Sequence, residues 1–161
     1  MLDRTTGSSA QHLGVAAREG FAAQPSDPAV ARTFQALLTA GYLVAAADEL
    51  APGERAALAG VLERAAGSAV DRTSFDRRLA EIDALRPHAA AELEKAAQVL
   101  SGPFARREAI VFATLVSFGD GTLAPEEVEA LCELGRYLRL SKGDVYALID
   151  DVVQSLTRVL A

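Results

Sequence analysis

The sequence predicts a single all-α domain of seven helices. Three observations carry that prediction: a composition rich in alanine and poor in aromatics, apolar residues that recur every three or four positions, and prolines, hydroxyls and carboxylates that punctuate the chain at helix-length intervals. Half of the 161 residues are hydrophobic, yet only 6% are aromatic and tryptophan is absent, which favours close-packed helices over a strand-rich sandwich. A chain of this length buries a substantial core without disulfides or a structural metal.

Residues 1–26 mix Thr, Gly, Ser and Gln and read as a mobile N-terminal arm, and the folded domain is expected over 27–161. Asp27-Pro28 opens the first helix, with a carboxylate to cap free N–H groups and a proline where no bond is lost. Val30, Phe34, Leu37, Leu38, Gly41 and Val44 then form one apolar stripe running to about Ala47, and Gly41 permits a close helix crossing. A second helix runs from Pro52 to about Ala66, with Leu58, Val61, Leu62 and Ala65 on one face, and forms a hairpin with the first.

Thr73 or Ser74 is expected to cap a third helix through Leu85, and Pro87 to begin a fourth that ends at Ser101-Gly102-Pro103. The fifth, Phe104 to about Phe118, carries Ile110, Val111, Ala113, Leu115 and Val116 and is apolar on most sides, so it is expected at the centre of the bundle with Arg106-Arg107-Glu108 in solvent. Pro125 starts the sixth and Ser141 caps the seventh, whose apolar face is Val145, Leu148, Ile149, Val152, Val153 and Leu156.

Charge and cysteine usage exclude several function classes. The formal charge of −6 repels phosphate backbones, and the basic pairs Arg77-Arg78 and Arg106-Arg107 are interrupted by acids and lack interleaved aromatics, so no nucleic-acid partner is expected. Cys132 is the one cysteine; it sits between Leu131 and Leu134 beside Glu129 and Glu133, which points to packing rather than a reactive thiol and fits a reducing cytoplasm. No apolar run is long enough for a bilayer and the N-terminus lacks a signal-peptide pattern, so a cytoplasmic location without membrane insertion is expected. His12 and His88 have no partner at metal-ligand spacing, and Asp83, Asp150 and Asp151 read as solvated. With no phosphate loop and no nucleophile constellation, no enzyme activity is expected.

The chain repeats itself. Leu50-Ala51-Pro52-Gly53-Glu54 recurs as Leu123-Ala124-Pro125-Glu126-Glu127, each after an apolar helix and an aspartate, and at the same offset Ala57 and Leu58 meet Ala130 and Leu131. Two pseudo-repeated helical hairpins follow from this echo. Each carries an acidic turn: Asp48, Glu49 and Glu54 in the first, Asp120, Glu126 and Glu127 in the second.

Those turns resemble the TerB (tellurite-resistance B-like) family, whose pattern is an apolar helix, Ala-Asp-Gly and Ser/Asp-Pro-Glu-Glu. The matching residues are Ala45-Ala46-Ala47-Asp48 with Glu49 through Arg55, and more closely Asp120-Gly121-Thr122-Leu123-Ala124-Pro125-Glu126-Glu127. Leu138-Arg139-Leu140-Ser141 is similar to the family's Leu-Gly-Leu-Ser before the last helix. The first turn is one residue shorter and lacks the glycine, and both have alanine where the family has a side-chain cap. The resemblance implies a seven-helix TerB-like bundle over roughly Pro28 to Leu160, a link to tellurite or oxidative stress, and metal association through clustered acids.

Two readings of the turns stand side by side. Hard oxygen ligands suit a divalent cation of the Ca²⁺ or Mg²⁺ class, although the alternating EF-hand ligands are absent. The same residues also serve helix ends, where Glu126 and Glu127 complement the positive N-terminal dipole and Gly121 allows a tight turn. The expected function is a non-catalytic stress-response domain acting by divalent-cation binding or by docking a protein partner at these turns. The alternative, from a different class, is a structural interaction or dimerisation module without metal.

Overall fold

Asp27 opens the first helix as expected: its Oδ1 accepts the backbone N–H groups of Ala29 at 3.1 Å and Val30 at 3.3 Å, and Pro28 occupies the first helical position. The computed structural model describes residues 20–22, 24, 26–48, 72–118 and 121–160. Its elements are α1 (Pro28–Ala45), which tightens into the 3₁₀ turn η1 (Ala46–Asp48), α2 (Arg72–Asp83), the 3₁₀ turn η2 (Arg86–His88), α3 (Ala89–Val99), α4 (Pro103–Ser117), α5 (Pro125–Tyr137) and α6 (Lys142–Leu160). The chain is all-α, with six α-helices and no strand among the described residues. The helix expected at Pro52 to Ala66, the first copy of the repeat and the N-terminal arm up to residue 19 lie outside the described residues.

The apolar stripe on α1 is real, but it is not the whole buried surface. Every residue from Ala36 to Ala46 is buried, and α1 packs against α2, α3, α4 and α5. The centre of the bundle therefore belongs to α1 rather than to α4, where Val111 and Leu115 stay partly exposed. The reason lies in the residues between the large ones. Ala36, Thr39, Ala40, Gly41 and Ala45 are small enough for neighbouring helices to close on every side, and Thr39 satisfies its own hydroxyl on the Gln35 carbonyl at 2.8 Å. Side chains such as Phe34, Leu38 and Leu43 each contribute roughly 1.5–3 kcal/mol by leaving water.

Three cross-links set α2 beside α1. Phe21 packs edge-on against Phe34 with centroids 5.7 Å apart and also touches Phe75; Arg78 Nε donates to Gln35 Oε1 at 2.6 Å; Tyr42 Oη donates to Asp83 Oδ1 at 2.6 Å. Partners advance in the same direction on both helices, so α1 and α2 run parallel. The helix starts at Arg72, which places Thr73 and Ser74 inside its first turn rather than at its cap. Pro87 sits in η2, and the α-helical pattern resumes only at Ala89. Asp83, expected in solvent, keeps about 41% of its side chain accessible but also accepts the hydroxyl of the fully buried Tyr42.

Arg86 Nη2 reaches the Ala46 carbonyl at 3.4 Å, so α3 starts at the C-terminal end of α1 and returns along it. Gly102 and Pro103 turn the chain into α4, whose Ala109, Ile110, Phe112, Ala113 and Val116 are buried. A Cβ built on Gly41 of α1 would lie 2.7 Å from the Phe112 ring, which confirms the close crossing expected at that glycine. Ser141 Oγ caps α6 through the Asp144 N–H at 3.1 Å, and Val145, Leu148, Ile149 and Val152 close the core from that side. No helix among the described residues is long and apolar enough to cross a membrane.

The end of α5 is a Schellman motif: the Leu140 N–H bonds the Gly135 carbonyl at 2.9 Å and the Arg139 N–H bonds the Arg136 carbonyl at 3.1 Å. Such an ending requires a left-handed residue, and here it is Arg139, with φ of 60°. A Cβ in that conformation costs about 1 kcal/mol relative to glycine.

Candidate functional site

At the first acidic turn, α1 gives way to η1 after Ala45, and the Ala46 N–H bonds the carbonyls of Tyr42 and Val44. Asp48 is the last residue of η1; Glu49 and Glu54 lie outside the described residues. At the second turn, α4 ends at Ser117 and the Gly121 N–H bonds the Phe118 carbonyl at 2.9 Å. Gly121 has φ of 91°, a conformation that suits glycine and supports its role in the tight turn, while Asp120 lies outside the described residues.

The chain then enters α5 through Ala124, an extended N-cap without a capping side chain. Glu127 provides the other half of a capping box: its Oε1 accepts the Ala124 N–H at 3.1 Å while its own N–H bonds the Ala124 carbonyl at 3.0 Å. It is only 2% exposed, whereas neighbouring Glu126 faces solvent. Replacing Glu127 with alanine is expected to cost about 1–2 kcal/mol, in the range of a lost cap. Glu127→Gln retains an acceptor oxygen and should cost less, and urea unfolding of the two variants checks the order.

The fold places η1 and the start of α5 at one pole. The start of α3 lies at the C-terminal end of α1, and the C-terminal residues of α5 line a cleft with those of α3, so the N-terminus of α5 points back toward η1. The 3₁₀ turn η1 packs against α5 accordingly. Of the six candidate ligands, Asp48, Glu126 and Glu127 thus belong to elements in contact. Ser117, at the end of α4, has a buried hydroxyl without a hydrogen-bond partner among the described residues. No group of three or more His, Cys, Asp or Glu side chains among the described residues is arranged to hold a metal ion. Cys132 is half-buried against the core, and His88, Asp150 and Asp151 are exposed.

Sequence reading missed a basic cleft at the opposite pole. Arg106, Arg136 and Arg139 line it from the start of α4 and the end of α5. Arg136 hydrogen-bonds Glu133, which draws that carboxyl below its ordinary value and raises the guanidinium's, and it lies 5.0 Å from the Tyr137 ring centroid. Arg106 and Arg139 have no ion pair among the described residues. The arginines lie in separate segments, so no local run of charge announces them; the one available signal was an arginine in a helix-stop position usually given to glycine.

No protein-family model, no curated protein and no solved structure matches this chain.

Proposed function

We propose that the chain is a non-catalytic, TerB-like helical domain of the tellurite or oxidative stress class, and that it works through its two acidic turns, at the pole that holds η1 and the start of α5, binding a divalent cation or docking a partner there. The supporting observation is the packing of η1, which ends in Asp48, against α5, which begins with Glu126 and Glu127. Carboxylates brought together at this pole would repel one another, and a hard cation would relieve that repulsion. Asp48, Glu49, Glu54, Asp120, Glu126 and Glu127 are the ligands assigned to the site, with Ca²⁺ or Mg²⁺ as the favoured class. Glu126 is exposed and lies outside the capping bonds described for Glu127.

Thermal unfolding of chelator-treated protein with Ca²⁺, Mg²⁺, Mn²⁺ or Zn²⁺ tests the proposal, because a ligand of the native state raises the midpoint by mass action. A saturable rise for one cation is expected, abolished in the Asp120→Asn/Glu126→Gln variant. A midpoint indifferent to every cation removes the metal and leaves a protein partner at this pole. A second reading, the metal-free interaction module, draws on exposed Phe104 and Tyr146, which are 64% and 43% accessible. A molecular mass that rises with concentration, with no cation effect, would favour it.

A further inference from the structure

We propose that the cleft between the C-terminal ends of α3 and α5 and the start of α4 binds a soluble phosphomonoester. Arg106, Arg136 and Arg139 converge on it, Ser101 and Gln98 add hydrogen-bonding groups, and Glu94 is the one acidic residue in the lining. Arg136 is already paired with Glu133, which leaves Arg106 and Arg139 as the two lining cations without an ion pair among the described residues, in a protein whose total charge is −6. That local excess matches a phosphate dianion, and guanidinium forks bind its oxygens in pairs. Ser101 and Arg106 also flank the start of α4, which has no side-chain cap, so the positive end of the helix dipole adds to the field.

Backbone conformation supplies an independent indication. The Schellman turn needs a left-handed residue, glycine fills it without strain, and this chain places an arginine there whose side chain lines the cleft. Strain kept at such a position points to a role for the side chain. The volume, about 480 Å³, is of the size that holds small molecules and far exceeds a bare phosphate, leaving space for the organic part of an ester beside Glu94 and Gln98.

Isothermal titration of the full chain with phenyl phosphate, inorganic phosphate and sodium chloride at matched ionic strength tests this assignment, together with binding to vesicles containing phosphatidic acid. Saturable binding of phenyl phosphate, tighter than that of inorganic phosphate, is expected. Arg106→Gln and Arg139→Gly should each weaken it about tenfold or more, as for loss of a hydrogen bond to a charged group. Arg139→Gly should also raise the unliganded melting midpoint by about 2–4 °C, because it relieves the left-handed strain, so weaker binding in that variant cannot come from poor folding. Absence of saturable binding, affinity unchanged in both variants, or binding confined to vesicles would each overturn the proposal.

Discussion

Phe112→Ala is expected to destabilise the protein by about 3–5 kcal/mol, with a fall in melting midpoint of roughly 10 °C. The ring is 2% exposed and lies across Gly41, so its removal leaves a cavity at the crossing of α1 and α4 that the helix backbones cannot collapse to fill. Gly41 provides the control. In the wild-type background Gly41→Ala brings a Cβ to 2.7 Å from the ring, and overpacking of this kind costs about 1–3 kcal/mol, more than the roughly 1 kcal/mol that alanine gains in helix propensity. With the ring gone the clash vanishes and the propensity gain remains, so Gly41→Ala should change sign and stabilise Phe112→Ala. Denaturant unfolding of the four proteins in the cycle measures this; additive effects would show that the two residues do not share the contact.

Asp83→Ala should cost about 1–3 kcal/mol although Asp83 is substantially exposed, because the loss falls on Tyr42. The tyrosine is fully buried and its hydroxyl donates to Asp83 at 2.6 Å. The nearby Arg86 contributes little: it stands 3.7 Å from the carboxylate with both side chains about 40% accessible, the regime in which ion pairs amount to at most about 1 kcal/mol. If the hydrogen bond dominates, Asp83→Ala becomes nearly neutral in a Tyr42→Phe background and Arg86→Ala has a small effect alone. The reverse order would assign the stability to the ion pair.

These two sites also mark where sequence reading succeeded and where it stopped. Helix starts were legible at Asp27-Pro28, Pro125 and Ser141 because a cap acts within three residues of its own position, and the all-α class followed from periodicity. The burial of α1 on every side was not legible: a stripe is recognised by large residues, whereas Ala36, Ala40 and Ala45 are buried by what neighbouring helices place over them. The partner of Asp83 was not legible for the same reason, since Tyr42 is 41 positions away. At the acidic turns the sequence identified the residue types, the local glycine and the helix-end position of Glu126 and Glu127, while the bond from the Ala124 N–H to Glu127 emerged only in the structure. That η1 lies against α5 is a tertiary fact, and so is the convergence of Arg106 with Arg136 and Arg139.

The all-round burial of α1 has its sharpest consequence in the unfolded chain. From Thr33 to Ala47 no residue carries a charge, and Arg32 and Asp48 stand at the two ends of the stretch. Folded, this segment is the axis that the other helices shield. Unfolded, it is the longest sticky tract in the described chain, with only its flanking charges as gatekeepers against self-association. Variants that loosen the α1–α4 crossing will therefore precipitate more readily on heating than the parent chain, whereas urea, which solvates the exposed segment, keeps their unfolding reversible.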